Sequence, residues 1–446
     1  MSSAVSKGLL GYATYVPSHR LGRRVVAGYD EDSTTMAVAA AHAALPPGFD
    51  PGAVLFATSS PAYADKTNAT AIHAALGLPE QVLAADFCGT GRSGFAAILL
   101  AARSGGLAVA ADVRVGRPGS ADEKLGGDGA AALAFGDGEP IAEVLGTASR
   151  TAEFLDRWRA PGSVTGQQWE ERFGFERYSP LIRSTAADAL DTAGLADADH
   201  VVLACPNSAV LKRAGSLVKG QKSTVTSPVG FSGAADAAIA LTGVLDVADP
   251  GDTILVLSAT DGCDALVLRT TAALPAARQP TPLAIQLEGG RPVPPLTYLS
   301  WRGLVEMEPP RRPEPDRVAA PPSSRAAAWK FGLTGTRCRR CGFVHLPPAR
   351  VCRGCAVADD MDSVPIAARE GTVVTYTVDR LAYSPSPPMV QAVVDVDGGG
   401  RCTVEVADAD QDALRVGARV RFSFRRLFTA GDVHDYFWKA VQIHGQ

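Results

Sequence analysis

With 446 residues, 46% of them hydrophobic and 20% charged, the chain has material for two or three folded cores. Its formal net charge of -4 excludes a global basic field of the kind that gathers nucleic-acid backbones. No apolar run reaches the roughly 18 residues of a membrane-spanning helix, and the opening MSSAVSKGLLGYATYVP holds too short an apolar stretch for a leader. We therefore expect a cytoplasmic protein with no membrane and no nucleic-acid partner.

Up to about residue 275 the pattern is α/β. Strand-like runs (AVLFAT, GLAVAAD, HVVLAC, TILVLSAT) alternate with helix-like segments (TTMAVAAAHAAL, STAADALDTAGL). Polar residues in DEDSTT precede the apolar periodicity, as a helix start requires. The strand–helix–strand order occurs over 1–150 and again over 151–275, which predicts a layered fold of two pseudo-repeated halves. In AADFCGTGRSGFAAILLAA an apolar strand ends at Cys88, a Gly-x-Gly turn follows, and a small-residue helix begins. A thiol so placed faces a helix N-terminus, where partial positive charge lowers its pKa. Backbone N–H groups of the turn can hold an acyl oxyanion. Cys88 is the candidate nucleophile; a buried inert cysteine is the alternative.

Proline density rises over 276–328, which reads as a connector without regular helices; Trp301 and Leu304 are its candidate docking residues. At 329–358, TRCRRCGFVHLPPARVCRGC carries Cys338, Cys341, Cys352 and Cys355 as two C-x2-C pairs. Four thiolates in two close pairs can surround Zn2+ completely, so the expected zinc is structural. Two disulfides are the alternative, disfavoured in a reducing compartment. Arginines at 337, 339, 340, 350 and 353 share this segment and read as solvated charge, with phosphate contact as the alternative. Over 359–446, short alternating strands between Gly, Pro and Asp turns predict a closed β-barrel of about five strands. A barrel core can absorb the run Tyr436–Phe437–Trp438, so its aromatics need not stack on bases.

The first two regions resemble the HMG-CoA synthase branch of the thiolase superfamily and its ketoacyl-ACP synthase III relatives. The resemblance rests on DEDSTTMAVAAAHAAL, SSPAYADKTNATAIHAALGLPEQVLAADFCGTGRSG, GGDGAAALAFGDG, VVLACPNSAVLKRAGSL and VGFSGAADAAIALTGVLDVADPGDTILVLSATDGCDALVL, in the family's order. It implies a thiolase-like fold and an acyl-thioester enzyme. An acyl group would pass from coenzyme A or an acyl carrier protein to Cys88, and a C–C bond would then be made or broken. It also implies a homodimer. The ribbon and barrel resemble the zinc-ribbon and OB-fold module found beside or fused to such enzymes. That implies acyl-CoA binding and a thiolase or another acyl-CoA enzyme as partner. Arg20, Arg23 and Arg24 in YVPSHRLGRR are candidates for the coenzyme A phosphates.

The chain departs from the family at three positions. Cys205 in ACPN takes the place of a His, Phe231 that of an Asn, and Ser59 that of the synthase Glu. Without His or Glu, enolisation of an acetyl thioester lacks its usual base, so the HMG-CoA synthase reaction itself is not expected. Cys205 reads either as a soft base or as packing, and Asp261 in ATDGCD as a candidate acid or base. His73 reads as a packed or surface residue. Three functions stay open: a Cys88 acyltransferase, a retro-aldolase on a β-hydroxyacyl-CoA without covalent intermediate, and a non-catalytic acyl-CoA-binding scaffold working with a partner subunit.

Overall fold

The computed structural model describes residues 6–443, which divide into two compact units. The body takes in the chain up to Gly28, then Asp32–Thr70 and Pro79–Tyr298. The second unit takes in Tyr29–Glu31, Ala71–Leu78 and Leu299 onward. The body therefore runs on past residue 275 to Tyr298, a fully buried ring whose hydroxyl accepts a hydrogen bond from Arg24 at 2.8 Å.

Ten body strands form one mixed sheet. They are β1 (Gly8–Tyr15), β2 (Ala53–Thr58), β3 (Leu83–Cys88), β4 (Gly106–Asp112) and β5 (Gly129–Gly136). They continue with β6 (Ala142–Thr151), β7 (His200–Ala204), β8 (Ser223–Val225), β9 (Thr253–Ser258) and β10 (Gly262–Thr270). The order is β8-β7-β9-β10-β6-β1-β5-β4-β2-β3. Counted outward from the β1–β6 junction at Leu9 and Ala142, each flank places its strands in the chain order first, fifth, fourth, second, third.

Helix α1 (Ser33–Ala44) starts where the polar cluster predicts. The Asp32 side chain accepts from Thr35 N and the Thr35 hydroxyl accepts from Asp32 N, both at 2.9 Å. Helices α2 (Gly91–Ser104) and α4 (Asp236–Leu245) share one core with residues from both flanks, including Phe95, Leu133, Ile239 and Val256. Helix α3 (Glu171–Ala193) covers a second core with Tyr178, Leu255 and Leu257. Alternate residues of β9 thus enter different cores, Ile254 and Val256 one, Leu255 and Leu257 the other. This is why TILVLS reads as a continuous apolar run rather than an alternating one. Glycine lets α2 approach closely: a Cβ on Gly94 would stand 1.8 Å from the Ala234 carbonyl oxygen. Alanine there would wedge the central layer apart.

In the second unit, β11 (Thr334–Cys338), β12 (Val344–His345) and β13 (Met361–Pro365) form the ribbon sheet. Five further strands follow: β14 (Glu370–Asp379), β15 (Met389–Val396), β16 (Arg401–Glu405), β17 (Arg419–Ala430) and β18 (Val433–Gln442). They pair in the order β16-β15-β14-β17-β18, and a parallel bridge between Val406 and Ala440 joins the two ends. Tyr436 and Trp438 point inward onto Phe424, each with its ring centroid 5.5 Å away. Phe437, on the other face, meets Trp329 at 5.2 Å. Two cations are buried with their counter-ions. Arg425 meets Glu31 at 2.6 Å, Asp408 at 3.3 Å and Asp30 at 3.4 Å. Lys439 meets Glu405 at 2.8 Å and Asp30 at 3.0 Å.

The connector is not devoid of helix. Pro295–Trp301, Ala320–Arg325 and Ala327–Lys330 are short helices. Proline is tolerated in a first turn, where its missing N–H would have no partner anyway. Trp301 donates from Nε1 to the Pro385 carbonyl at 3.4 Å within this unit.

Candidate functional site

Cys88 ends β3 beside Thr58, its register partner at the end of β2, and is an exposed free thiol. Gly89 follows with φ 138°, donating to the Thr58 carbonyl at 3.1 Å, and Thr90 caps α2. The strand–turn–helix reading of this segment holds, but the electrostatic expectation reverses. Partial enclosure first, then the Asp86 and Asp112 carboxylates, push the Cys88 thiol above its ordinary value. Two nearby anions outweigh a helix terminus, whose effect fades within a turn.

Asp112, fully buried at the end of β4, organises the neighbouring turn. Its carboxylate accepts from Ala234 N at 2.6 Å, Ser59 N at 2.7 Å, and the hydroxyls of Thr58, Ser59 and Ser60 at 2.8, 2.8 and 2.9 Å. Gly233, at φ 57°, is required here because a Cβ would lie 1.9 Å from an Asp112 oxygen. Ser59 in turn accepts at its hydroxyl from Arg114, at 2.8 Å, and at its carbonyl from Arg159.

Beside this turn opens a cleft with about 670 Å3 of empty space, including its solvent-facing mouth. Ser59, Gly89 and Gly91 line one side, and Cys88 is not part of the lining. Arg114, Arg157 and Arg159 contribute the cations, Asp156 and Asp261 the carboxyls, and Tyr178, Trp158 and Phe231 the rings. Phe231 carries Arg114 and Arg157 against its face, 5.2 and 5.6 Å from its centroid. Asp156 is buried at the foot of α3, where Tyr178 donates to it at 3.2 Å. Asp261 takes φ 52°, a left-handed conformation that costs a non-glycine residue energy. Arg92 supports it, donating to its carbonyl at 2.7 Å while bridging Asp264 at 2.8 Å. Burial raises the pKa of both carboxyls, and Asp156 raises Asp261 further. Burial likewise pushes the Tyr178 phenol up, with Cys205, Asp156 and Asp261 adding to it. A carboxyl whose pKa is raised by burial in a cleft is a candidate for proton transfer.

Of the residues picked out in the sequence, Asp261 lines the cleft and Cys88 lies next to a lining residue. Cys205 is wholly buried in the α3 core, and burial drives its thiol far up, so it cannot serve as a thiolate base at neutral pH. Arg20 and Arg24 are buried too. Arg20 donates to the Pro17 carbonyl at 2.6 Å and the His19 carbonyl at 3.0 Å. Arg24 donates to Tyr298 and to the Arg114 carbonyl. Of the three, only Arg23 presents an exposed side chain. Sequence reading missed Asp156, Tyr178, Arg114, Arg157 and Arg159. The signal was EFLDRWRAPG, where an Arg-Trp-Arg run follows an acid, but it matches no spacing rule.

The four ribbon cysteines converge. Their sulfurs all lie within 4.8 Å of one another, with Cys341–Cys352 at 3.4 Å and Cys338–Cys355 at 3.7 Å. Tetrahedral Zn–S bonds of about 2.3 Å imply sulfur separations near 3.8 Å, so this donor set fits a closed Zn2+ site. Among the described residues, no helix is long and apolar enough to cross a membrane.

Residues 330–361 match the family described as "ChsH2, rubredoxin-like zinc ribbon domain", and residues 364–425 match "ChsH2, C-terminal OB-fold domain". The body is similar to the hydroxymethylglutaryl-CoA synthase of Archaeoglobus fulgidus, 30% identical over 309 residues, which are 60% of this chain and 90% of that protein. The Aeropyrum pernix protein of the same name is 32% identical over 325 residues, 64% of this chain and 89% of its own. Among solved structures, an HMG-CoA synthase complexed with CoA has the same fold, with TM-score 0.58 and 15% identity over 68% of this chain and 91% of that one. So has the 3-oxoacyl-(acyl carrier protein) synthase III, FabH, of Pseudomonas aeruginosa PAO1, with TM-score 0.53 and 21% identity over 60% of this chain and 98% of that one. With its thiolase-like layered body, its capped Cys88 turn and an appended zinc ribbon and OB-fold, this chain belongs to the hydroxymethylglutaryl-CoA synthase family.

Proposed function

We propose that the chain binds an acyl thioester of coenzyme A in the cleft and makes or breaks a C–C bond there by acid–base chemistry, without an acyl-Cys88 intermediate. The observation that carries this reading is the grouping of Asp156, Asp261 and Tyr178 in one cleft, while partial enclosure, with Asp86 and Asp112 adding to it, pushes the Cys88 thiol up rather than down. In the cleaving direction, a carboxylate takes the proton of a β-hydroxyl. The Cα–Cβ pair moves to the thioester carbonyl, a ketone or aldehyde leaves, and the carboxylic acid returns its proton to Cα. Backbone N–H groups at the start of α2 are suited to the enolate oxygen.

A second reading keeps Cys88 as acyl carrier. It is supported by the exposed thiol just before the capped α2, the position of the family's nucleophile. One experiment separates them: a panel of β-hydroxyacyl-CoA thioesters, assayed for carbonyl release and by intact-protein mass. The acid–base reading expects carbonyl release that survives Cys88→Ala and falls by about a hundred-fold or more in Asp261→Asn. An acyl adduct on Cys88, with activity lost in Cys88→Ala, overturns it in favour of the second reading. Binding without turnover in any variant would leave only a scaffold working beside a partner enzyme. In all three cases we propose that Zn2+ sits in the ribbon as a structural ion, away from the reacting atoms.

A further inference from the structure

We propose that Arg114 and Arg159, bracketing Ser59, form a subsite for a carboxylate carried on the acyl portion of the substrate. This rests on the reading that the cleft takes an acyl thioester, and names which thioesters it prefers.

The argument begins from what Arg114 lacks. Its guanidinium donates from one nitrogen to the Ser59 hydroxyl at 2.8 Å and lies against Phe231. Among the described residues, no carboxylate makes a salt bridge with it. The buried Asp112 carboxylate already accepts five hydrogen bonds. A glutamate at position 59 would supply an internal counter-ion; the serine supplies only a neutral acceptor. Arg157 is satisfied by Asp122 at 2.7 Å. Arg159 is exposed and reaches only the Ser59 carbonyl.

Of the cleft's carboxyls, Asp156 accepts from Tyr178 at 3.2 Å, and among the described residues neither it nor Asp261 bridges Arg114 or Arg159. Arg114 is half-buried in the cleft wall, and a guanidinium fork with free N–H groups fits a carboxylate in two-point fashion. Phe231, standing where the family has an asparagine, supports this fork from behind. The source of the anion follows from position. Ser59, Arg114 and Arg159 line the same cleft as Asp156, Tyr178 and Asp261, so the subsite lies at the reacting end. The pantetheine arm holds the coenzyme A phosphates far from that end.

The test measures dissociation constants by calorimetry for glutaryl-CoA, pentanoyl-CoA and glutaryl-pantetheine, with the full chain and with Arg114→Met and Arg159→Met. We expect glutaryl-CoA to bind about ten-fold or more tighter than pentanoyl-CoA. Either substitution should erase that preference without weakening pentanoyl-CoA, and glutaryl-pantetheine should lose tight binding in both variants. Should Arg114→Met fail to fold, Arg159→Met, altering an exposed side chain, carries the same comparison. Equal affinity for the two CoA thioesters in the unsubstituted chain overturns the carboxylate subsite while leaving the thioester reading intact. Equal weakening of both by the substitutions, with glutaryl-pantetheine unaffected, assigns the arginines to coenzyme A phosphates and also overturns it. Failure of all three ligands to bind overturns both.

Discussion

Two arginines, one in each unit, sit in opposite electrostatic situations. Arg425 in the barrel is buried with Glu31, Asp408 and Asp30 around it, and Lys439 beside it has Glu405 and Asp30. Arg114 in the body lies half-buried against Phe231 and Ser59; Asp112 and Asp122 act on it through space, but no carboxylate is in salt-bridge contact among the described residues. A buried cation with its complement supplied by the protein is a structural element: removing it strands the anions. A cation lacking that complement is left to answer to a ligand. The same contrast holds for the four ribbon thiols, a donor set whose complement is a metal ion.

The comparison can be broken most severely at the metal. Chelation with EDTA should unfold the ribbon, since structural zinc contributes on the order of 10 kcal/mol in comparable modules. Loss of near-UV signal together with release of one zinc per chain would show it, while body helices persist in the far-UV spectrum. Next in size, Arg425→Met should lower unfolding stability by about 3–5 kcal/mol, because Asp30 and Glu31 stay buried while losing the Arg425 guanidinium. A denaturant midpoint unchanged by this substitution would contradict the view of the cluster as structural. The body has a buried acid to match. Asp236 is fully enclosed, hydrogen-bonded by Ser232, and burial raises its pKa to about 7. With the folded value above the unfolded one, its stabilising contribution is complete below about pH 4 and is lost as pH rises through about 7. Asp236→Asn should therefore flatten the fall in body stability between about pH 4 and 7, worth at most about 4 kcal/mol. Thermal unfolding at several pH values reads this directly. The smallest effect should come from Arg114→Met, within about 1 kcal/mol in stability, since no ion pair is lost. A drop as large as that of Arg425→Met would erase the distinction between the two arginines.

Much of the architecture was legible because it is local. The C-x2-C pairs bring two sulfurs together through a single turn, whatever the rest of the chain does. Asp32 and Thr35 satisfy each other across three residues, so the start of α1 could be read directly. The DFCGTG turn is likewise a short-range event. The cleft was not legible, because its members come from distant parts of the chain. Arg114 follows β4, Asp156 follows β6, Tyr178 rides on α3 and Asp261 sits between β9 and β10. No spacing rule links them. Arg20 and Arg24 misled for the complementary reason: arginine is mostly a surface residue, and only tertiary packing shows these two buried against carbonyls and Tyr298.

What the sequence determined by itself, then, was the family, the presence of a ribbon and an OB-fold region after the body, and the four thiols that can hold a metal ion. These depend on hydrophobic period, turn chemistry and short spacings, which act over a few residues. What only the tertiary structure decided was charge. The Cys88 thiol moves up because the fold partly encloses it, with Asp86 and then Asp112, 24 positions later in the chain, adding to that. Whether an arginine is finished or unfinished depends on which carboxylates the fold carries to it. Coulomb energies follow distance in space and the surrounding dielectric, and neither quantity exists until the chain has folded.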